Sequence, residues 1–253
     1  MRPRVVTGNV ATLDGRIAAC GSVPSWQDDR WAPILKSGIE LIDFAKLHGA
    51  SVILEGSNSF VSRDAGPTLF PEAPALPGLY EDYLPKELLQ RYQRWMAVVD
   101  SRGRVEWAQT QGGGMHVLVL VSQNTPPGYL AFLRERNIPY LVCGEDRVDL
   151  ELGLLRLKET FAVELVVSTA GGVLNGALLR AGLVDEVNVQ VLPFVLGSES
   201  APALFEGYNP SLTLPPHTMR LLDAKSRPDG SVLLRYAPDP LPFSESRNSS
   251  GPS

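Results

Sequence analysis

Short apolar, β-branched runs recur along the chain, separated by longer segments of helical period. Arg4–Ala11 (RVVTGNVA) is the first such run and reads as a buried strand. The turn residues Thr12-Leu13-Asp14-Gly15-Arg16 close it. Between Pro33 and Leu47, Ile34, Leu35, Ile39, Ile42, Phe44 and Leu47 fall largely on one side of a helix. A second buried strand, Ser51–Leu54, runs into Gly56-Ser57-Asn58-Ser59, which opens another helix. Arg63 to Pro85 is rich in proline and nearly aperiodic, which places an ordered insertion or flap near 63–94.

Strand and helix then alternate. Strands are expected at Trp95–Val99, His116–Val121, Pro139–Val142 and Glu164–Val167, with helices at Tyr129–Arg136, Glu151–Thr160 and Val173–Ala181. Such alternation implies a three-layer α/β/α arrangement around a mostly parallel central sheet. The end of the chain breaks the pattern. Strand Glu186–Leu192 is followed by Leu212–Ala224 and Ser231–Tyr236, which flank Pro228-Asp229-Gly230, so the sheet should finish in an antiparallel hairpin. The Gly112-Gly113-Gly114 run before His116 marks a flexible connection. One domain is expected over 1–237, with residues 238–253, rich in Pro, Ser and Gly, as a mobile tail.

Composition narrows the function classes. Hydrophobic residues make up 44% and charged residues 20%, enough for a substantial core. The net charge of −5 leaves no basic excess to neutralise phosphates, so no nucleic-acid partner is expected. Cys20 and Cys143 make no disulfide framework, and His48, His116 and His217 are too scattered for a zinc centre, so no metal is expected. Arg2 and Arg4 lead straight into the first strand without a signal peptide, and no apolar run approaches ~20 residues. No membrane partner is expected, and the expected location is the cytoplasm.

Ligands of parallel α/β sheets bind at the carboxyl ends of the strands. Four loops there carry suggestive residues. In Ser168-Thr169-Ala170-Gly171-Gly172-Val173-Leu174-Asn175, paired glycines at a strand-to-helix junction let backbone approach a diphosphate at a helix amino end; a tight turn would need the same glycines for geometry alone. The hydroxyls of Gly56-Ser57-Asn58-Ser59 either cap a helix or meet a ligand. Asp100-Ser101-Arg102-Gly103-Arg104 sets two guanidinium groups beside a hydroxyl, either a grip for a phosphate monoester or a solvated turn. Ser122-Gln123-Asn124-Thr125 completes the set. The chain has no G-x-G-x-x-G, no P-loop and no G-x-S-x-G elbow.

These segments, in this order, resemble the riboflavin-pathway reductases, both the reductase domain of the bifunctional bacterial deaminase–reductase and its stand-alone relatives. Ala11-Thr12-Leu13-Asp14-Gly15-Arg16-Ile17-Ala18 is similar to the family's S-L-D-G-(R/K)-I-A opening; the likeness continues through Ser25-Trp26, and Val52-Ile53-Leu54-Glu55-Gly56-Ser57-Asn58-Ser59 is similar to A-I-L-V-G-x-x-T. Val98 to Arg104 is similar to V-V-x-D-S-x-x-R. The longest stretch runs from Gly171 through Leu179 to Glu186, followed by Pro193, Leu196-Gly197 and Leu204-Phe205. The likeness extends from about residue 4 to 237.

The resemblance implies a dihydrofolate-reductase-like fold, a homodimer, and reduction by NADPH of the opened ribosyl imine of a pyrimidine ribosylamino phosphate to the ribitylamino product. It further implies cofactor contacts at Val10, Trp26, Ser59, Ser122, Gly171, Gly172, Val173 and Leu174. Arg102 and Arg104, beside Ser101, suit the adenosine 2′-phosphate by charge. Asp14 and Asp64 are candidate proton donors or substrate anchors, although Asp14 also reads as a turn residue bonding nearby backbone. Three departures fall on the substrate side. Ala170 precedes the double glycine where relatives carry Glu, Arg63-Asp64-Ala65-Gly66-Pro67 stands for an acidic-Pro segment, and the family's Arg late in the first helix is replaced by Lys46 or lost. Two other readings therefore stay open: a related reductase of another heterocycle or imine, and a nucleotide-binding protein without turnover.

Overall fold

A computed structural model describes residues 1–18, 29, 38–62, 68, 70, 71, 77–207 and 216–240. Its core is one mixed sheet of ten strands. The strands are β1 (Arg4–Thr12), β2 (Val52–Gly56), β3 (Trp95–Val99), β4 (Gln111–Gly112), β5 (Met115–Val121), β6 (Tyr140–Val142), β7 (Leu165–Ser168), β8 (Glu186–Leu192), β9 (Met219–Ser226) and β10 (Val232–Pro238). Their order is β4-β5-β3-β2-β7-β1-β8-β10-β9, with β6 paired to the second half of β5. Strands β1, β2, β3, β5, β6, β7 and β8 run parallel, and β10 turns antiparallel against β8 and β9. The parallel sheet with a terminal antiparallel hairpin is the one expected from the sequence.

Side-chain alternation explains the continuous apolar strands, because both faces are covered. On β5, Leu118 and Leu120 join one cluster, which holds Leu154 and Leu157 of α4 (Leu150–Phe161) and Leu178 and Leu179 of α5 (Gly172–Arg180). Val117, Val119 and Val121 face the opposite way, onto Tyr129, Leu130 and Leu133 of α3 (Pro127–Glu135). Helix α1 (Phe44–His48) covers that second face over β1 and β7, where Phe44 meets Val6 and Val167. Helix α2 (Lys86–Arg91) sets Leu88 and Leu89 against the first. Each fully buried Val or Leu contributes on the order of 2 kcal/mol.

Several local expectations change. Within the helix expected over Pro33–Leu47, residues 33–37 lie outside the described ones, and the described part is helical only from Phe44. Gln190 is the reason. Its side chain accepts from Ile42 N–H at 2.9 Å and donates to Glu40 C=O at 3.0 Å, drawing residues 40–42 onto the sheet. Asp43 then caps the helix by accepting from Lys46 N–H. Ser57–Ser59 forms a single 3₁₀ turn rather than opening a longer helix. The glycine run is a tight hairpin between β4 and β5, with Gly113 and Gly114 at φ 58° and 75°, a pair of left-handed positions that favours glycine. The latter half of the insertion includes α2 and is clamped to the sheet. Tyr83 bridges Tyr140, and Asp82 accepts from Val142 N–H and pairs with Arg156. Of the expected tail, 241–253 lies outside the described residues.

At the hairpin end the buried Glu186 accepts from Arg4, from Arg235 at 2.7 Å and from Asn188 at 3.1 Å. Burial alone would raise its carboxyl; the bonds from Arg235 and Asn188 and the charges of Arg235 and Arg4 outweigh it and hold the group below its ordinary value of 4.5. A depressed carboxylate stabilises the fold fully above that ordinary value and loses its contribution as pH falls through the folded one. In urea unfolding followed from neutral pH to about pH 3, wild type should therefore lose more stability than Glu186→Gln.

Candidate functional site

Strand β1 lies between β7 and β8, and its two pairings differ in length. With β8 it continues to Thr12↔Leu192, whereas with β7 it stops at Thr7↔Ser168. Beyond that point no ladder bond joins the carboxyl half of β1 to residues 169–171, a break in pairing termed the slot. The Val10 peptide lies on the edge of β1 that faces this slot, by alternation from Arg4, whose N–H bonds Glu164 across the same edge.

A knot of buried side chains holds the strands apart. Asn9 and Asn175 both donate to the Ala170 carbonyl, at 2.9 and 2.8 Å, and occupy it where a strand neighbour would otherwise bond. Asn175 also donates to Asn9 Oδ1 at 2.9 Å, and its own Oδ1 accepts from Ser168 Oγ at 2.7 Å. Asn175 and Ser168 are fully buried and Asn9 nearly so. The knot closes the slot on the side of α5.

The paired glycines divide in role. A Cβ on Gly172 would stand 2.2 Å from the Ala203 carbonyl oxygen, and one on Gly176 2.1 Å from that of Glu206. Both are therefore set by the 201–206 segment, which also binds through Glu206 N–H to Gly172 C=O. Gly171 is different: the nearest atom to an added Cβ is Ile17 Cδ1 at 3.9 Å. It begins α5 without a side-chain cap, and the first-turn N–H groups of Gly172, Val173 and Leu174 have no carbonyl within the helix to bond. Of the pair, only Gly171 has room beside its backbone for a ligand, because Gly172 is packed against Ala203. An open glycine, a free helix start and the Val10 edge are groups of the kind that could hold a dinucleotide diphosphate.

The other candidates are arranged as follows. Asp14 accepts from Thr12 Oγ1 at 2.6 Å and from the Leu196 and Gly197 N–H groups at 3.1 and 2.9 Å. Those bonds hold its carboxyl well below the usual carboxylate range, which suits an anchor for the β1 turn and not a proton donor. Ser101 Oγ accepts from Val148 N–H, and Ser122 is fully buried with its hydroxyl near Thr125 and the Asp146 carbonyl, so both hydroxyls face the protein interior. Arg104 is buried, donating to Asn58 Oδ1 at 2.9 Å and to the Ser62 carbonyl, whereas Arg102 is exposed. Of the expected pair of phosphate-binding arginines, Arg104 is taken up by protein partners and Arg102 stays open to solvent. Asp100 organises the loop by accepting from the Arg104 and Val105 N–H groups, and Gly103, at φ 62°, passes so close to Tyr129 that a Cβ would sit 2.7 Å from its ring. Trp26 and Asp64 lie outside the described residues.

Ser59 donates at 2.7 Å to Glu55, which also accepts from Thr169 Oγ1. Burial pushes the Glu55 carboxyl up against the opposing effect of these two donors. Glu55, Thr169, Asn9 and Asn175 were not singled out from the sequence. A usable signal existed, because each is a polar residue at or near the carboxyl end of an apolar strand, or one turn into the helix that follows it.

Compared with known proteins, the chain matches the family described as RibD C-terminal domain over residues 3–234. It is 32% identical over 213 residues to the 2,5-diamino-6-ribosylamino-4(3H)-pyrimidinone 5′-phosphate reductase of Methanothermobacter thermautotrophicus, covering 82% of this chain and 85% of that protein. Its fold is similar to that of a pyrimidine reductase-like protein of Corynebacterium diphtheriae, with TM-score 0.63 and 15% identity over 94% of this chain and 92% of the other. The riboflavin biosynthesis reductase of Saccharomyces cerevisiae gives TM-score 0.58 and 18% identity over 94% and 90%. These likenesses carry the dihydrofolate-reductase-like fold expected from the sequence.

The glycines separate by substitution. Gly172→Ala should lower the free energy of unfolding by about 1–3 kcal/mol through overpacking. Gly171→Ala should cost less than about 1 kcal/mol. Urea denaturation of the two variants measures both.

Proposed function

The chain belongs to the family of RibD C-terminal domains, and from that membership we propose that it reduces a pyrimidine ribosylamino 5′-phosphate to the ribitylamino product in riboflavin biosynthesis, with NADPH as reductant. The observation that carries the proposal is the slot where β1 leaves β7, opening beside Gly171 and the start of α5. Bound there, the nicotinamide supplies the hydride that reduces the sugar C1 of the opened imine. Peptide groups at Val10 would hold the ring edge, and the N–H groups of Gly172 to Leu174 would bind the diphosphate. Asp14 fixes the turn after β1 to Leu196 and Gly197, so the slot keeps its width. Exposed Arg102 supports NADPH over NADH, because a guanidinium in solvent reach can pair with a 2′-phosphate. A homodimer and a cytoplasmic location belong to the same reading, on the strength of the resemblance.

Titration with NADPH and NADH tests binding, and loss of NADPH absorbance on adding the pyrimidine phosphate tests turnover. Binding without turnover would remove this substrate and leave a reductase of another imine. Arg102→Ala should weaken NADPH about tenfold more than NADH, the size of a lost charged hydrogen bond. Arg104→Ala should lower thermal stability and affect the two dinucleotides alike, because its side chain braces Asn58 and Ser62.

A further inference from the structure

Glu55 is the one charged residue of β2, whose other positions are Val52, Ile53, Leu54 and Gly56. Leu54 pairs with Ser168 and Ser168 with Thr7, so the next row across the sheet is Glu55, Thr169 and Gly8. By alternation this row points away from Ser168 and Asn175, toward the face covered by α1. The α5 side of the slot is sealed by the asparagine knot. The opposite side therefore presents Thr169, which is partly exposed, and behind it Glu55.

The two oxygens of Glu55 each take one hydroxyl, Oε1 from Thr169 and Oε2 from Ser59. Among the described residues, no charged side chain contributes to the state of this carboxyl. On α1, which packs on this face, Asp43 and Lys46 are exposed and His48 is half-buried; the 57–60 turn and residues 169–171 carry no charge. Burial without a countercharge favours the neutral acid. A proton on Glu55 Oε1 would let that oxygen donate to Thr169 Oγ1, which frees the Thr169 hydrogen for another acceptor.

We propose that Glu55 and Thr169 form the proton relay of the reduction, with Glu55 storing the proton and the Thr169 hydroxyl delivering it to the substrate nitrogen. The relay rests on the reductase reading above. The step balances: the imine carbon gains the hydride with its two electrons, and the π pair of the C=N bond becomes a new N–H bond with the Thr169 proton. Thr169 Oγ1 takes the Glu55 proton in the same movement. Glu55 is left as a carboxylate and recovers a proton from solvent by way of Ser59.

Three variants and one spectrum test this. Glu55→Gln and Thr169→Val should each lower kcat about 100-fold with the dissociation constant for NADPH unchanged, and Thr169→Ser should restore most of the rate. The wild-type kcat should fall as pH rises through the Glu55 ionisation, and that limb should be missing in Glu55→Gln. Infrared spectra at neutral pH should show a carboxylic-acid carbonyl band in wild type that Glu55→Gln lacks, a readout independent of turnover. A kcat within about threefold of wild type in either Glu55→Gln or Thr169→Val overturns the relay, as does absence of the acid band in an active wild-type enzyme. A wild-type protein that binds NADPH but turns over no pyrimidine phosphate overturns the assigned substrate instead, and the infrared band still reports whether Glu55 holds a proton.

Discussion

The Ala170 carbonyl, held by the side chains of Asn9 and Asn175, is the constraint on which the site depends. A parallel strand continues while its neighbour offers free peptide groups, and here two amides occupy the next one in line. Strand β7 consequently ends at Ser168 while β1 runs on to Thr12 beside β8. The amides sit in a buried place where an unpaired polar group costs about 1–3 kcal/mol, so the knot persists because each member satisfies another. The opening of the slot, the exposure of Thr169 and the presentation of Gly171 all follow from this one interruption.

Electrostatic environments at the same end of the sheet differ sharply between two carboxylates. Asp14 has three donors and is held ionised, which makes it a fixed acceptor tying the β1 turn to Leu196 and Gly197. Glu55 has two hydroxyl partners and no countercharge, and burial pushes it toward the neutral acid. Groups whose environments drive their ionisation apart are suited to different work. The arginines divide likewise: Arg104 is turned inward to brace the 58–62 segment, leaving Arg102 at the surface. Neither division is visible in residue type.

Most strands were legible in the sequence because burial on both faces leaves a continuous β-branched run, as in Val117 to Val121. Helices α3, α4 and α5 were legible because each buries one face, with Leu154 and Leu157 of α4 as an instance. Among the described residues the helix before β2 is shorter than the apolar period predicts: Ile39 packs on Leu192 and Ile42 on the cluster around Phe44, while Gln190, 148 residues from Ile42 along the chain, binds that segment's backbone to the sheet. A period read locally carries no trace of such a partner.

By itself, then, the sequence determined the alternating elements, the parallel sheet with its final hairpin, and the loops at which a ligand would bind. These follow from local hydrophobic period and turn chemistry, which act over a few residues. Only the tertiary structure decided which members of those loops face the slot. Gly172 is required by Ala203, Ser122 points inward, Arg104 is buried, and Glu55 meets Thr169 across 114 residues of chain. Those outcomes depend on strand register and on contacts between distant segments, and neither is encoded in the neighbourhood of the residues concerned.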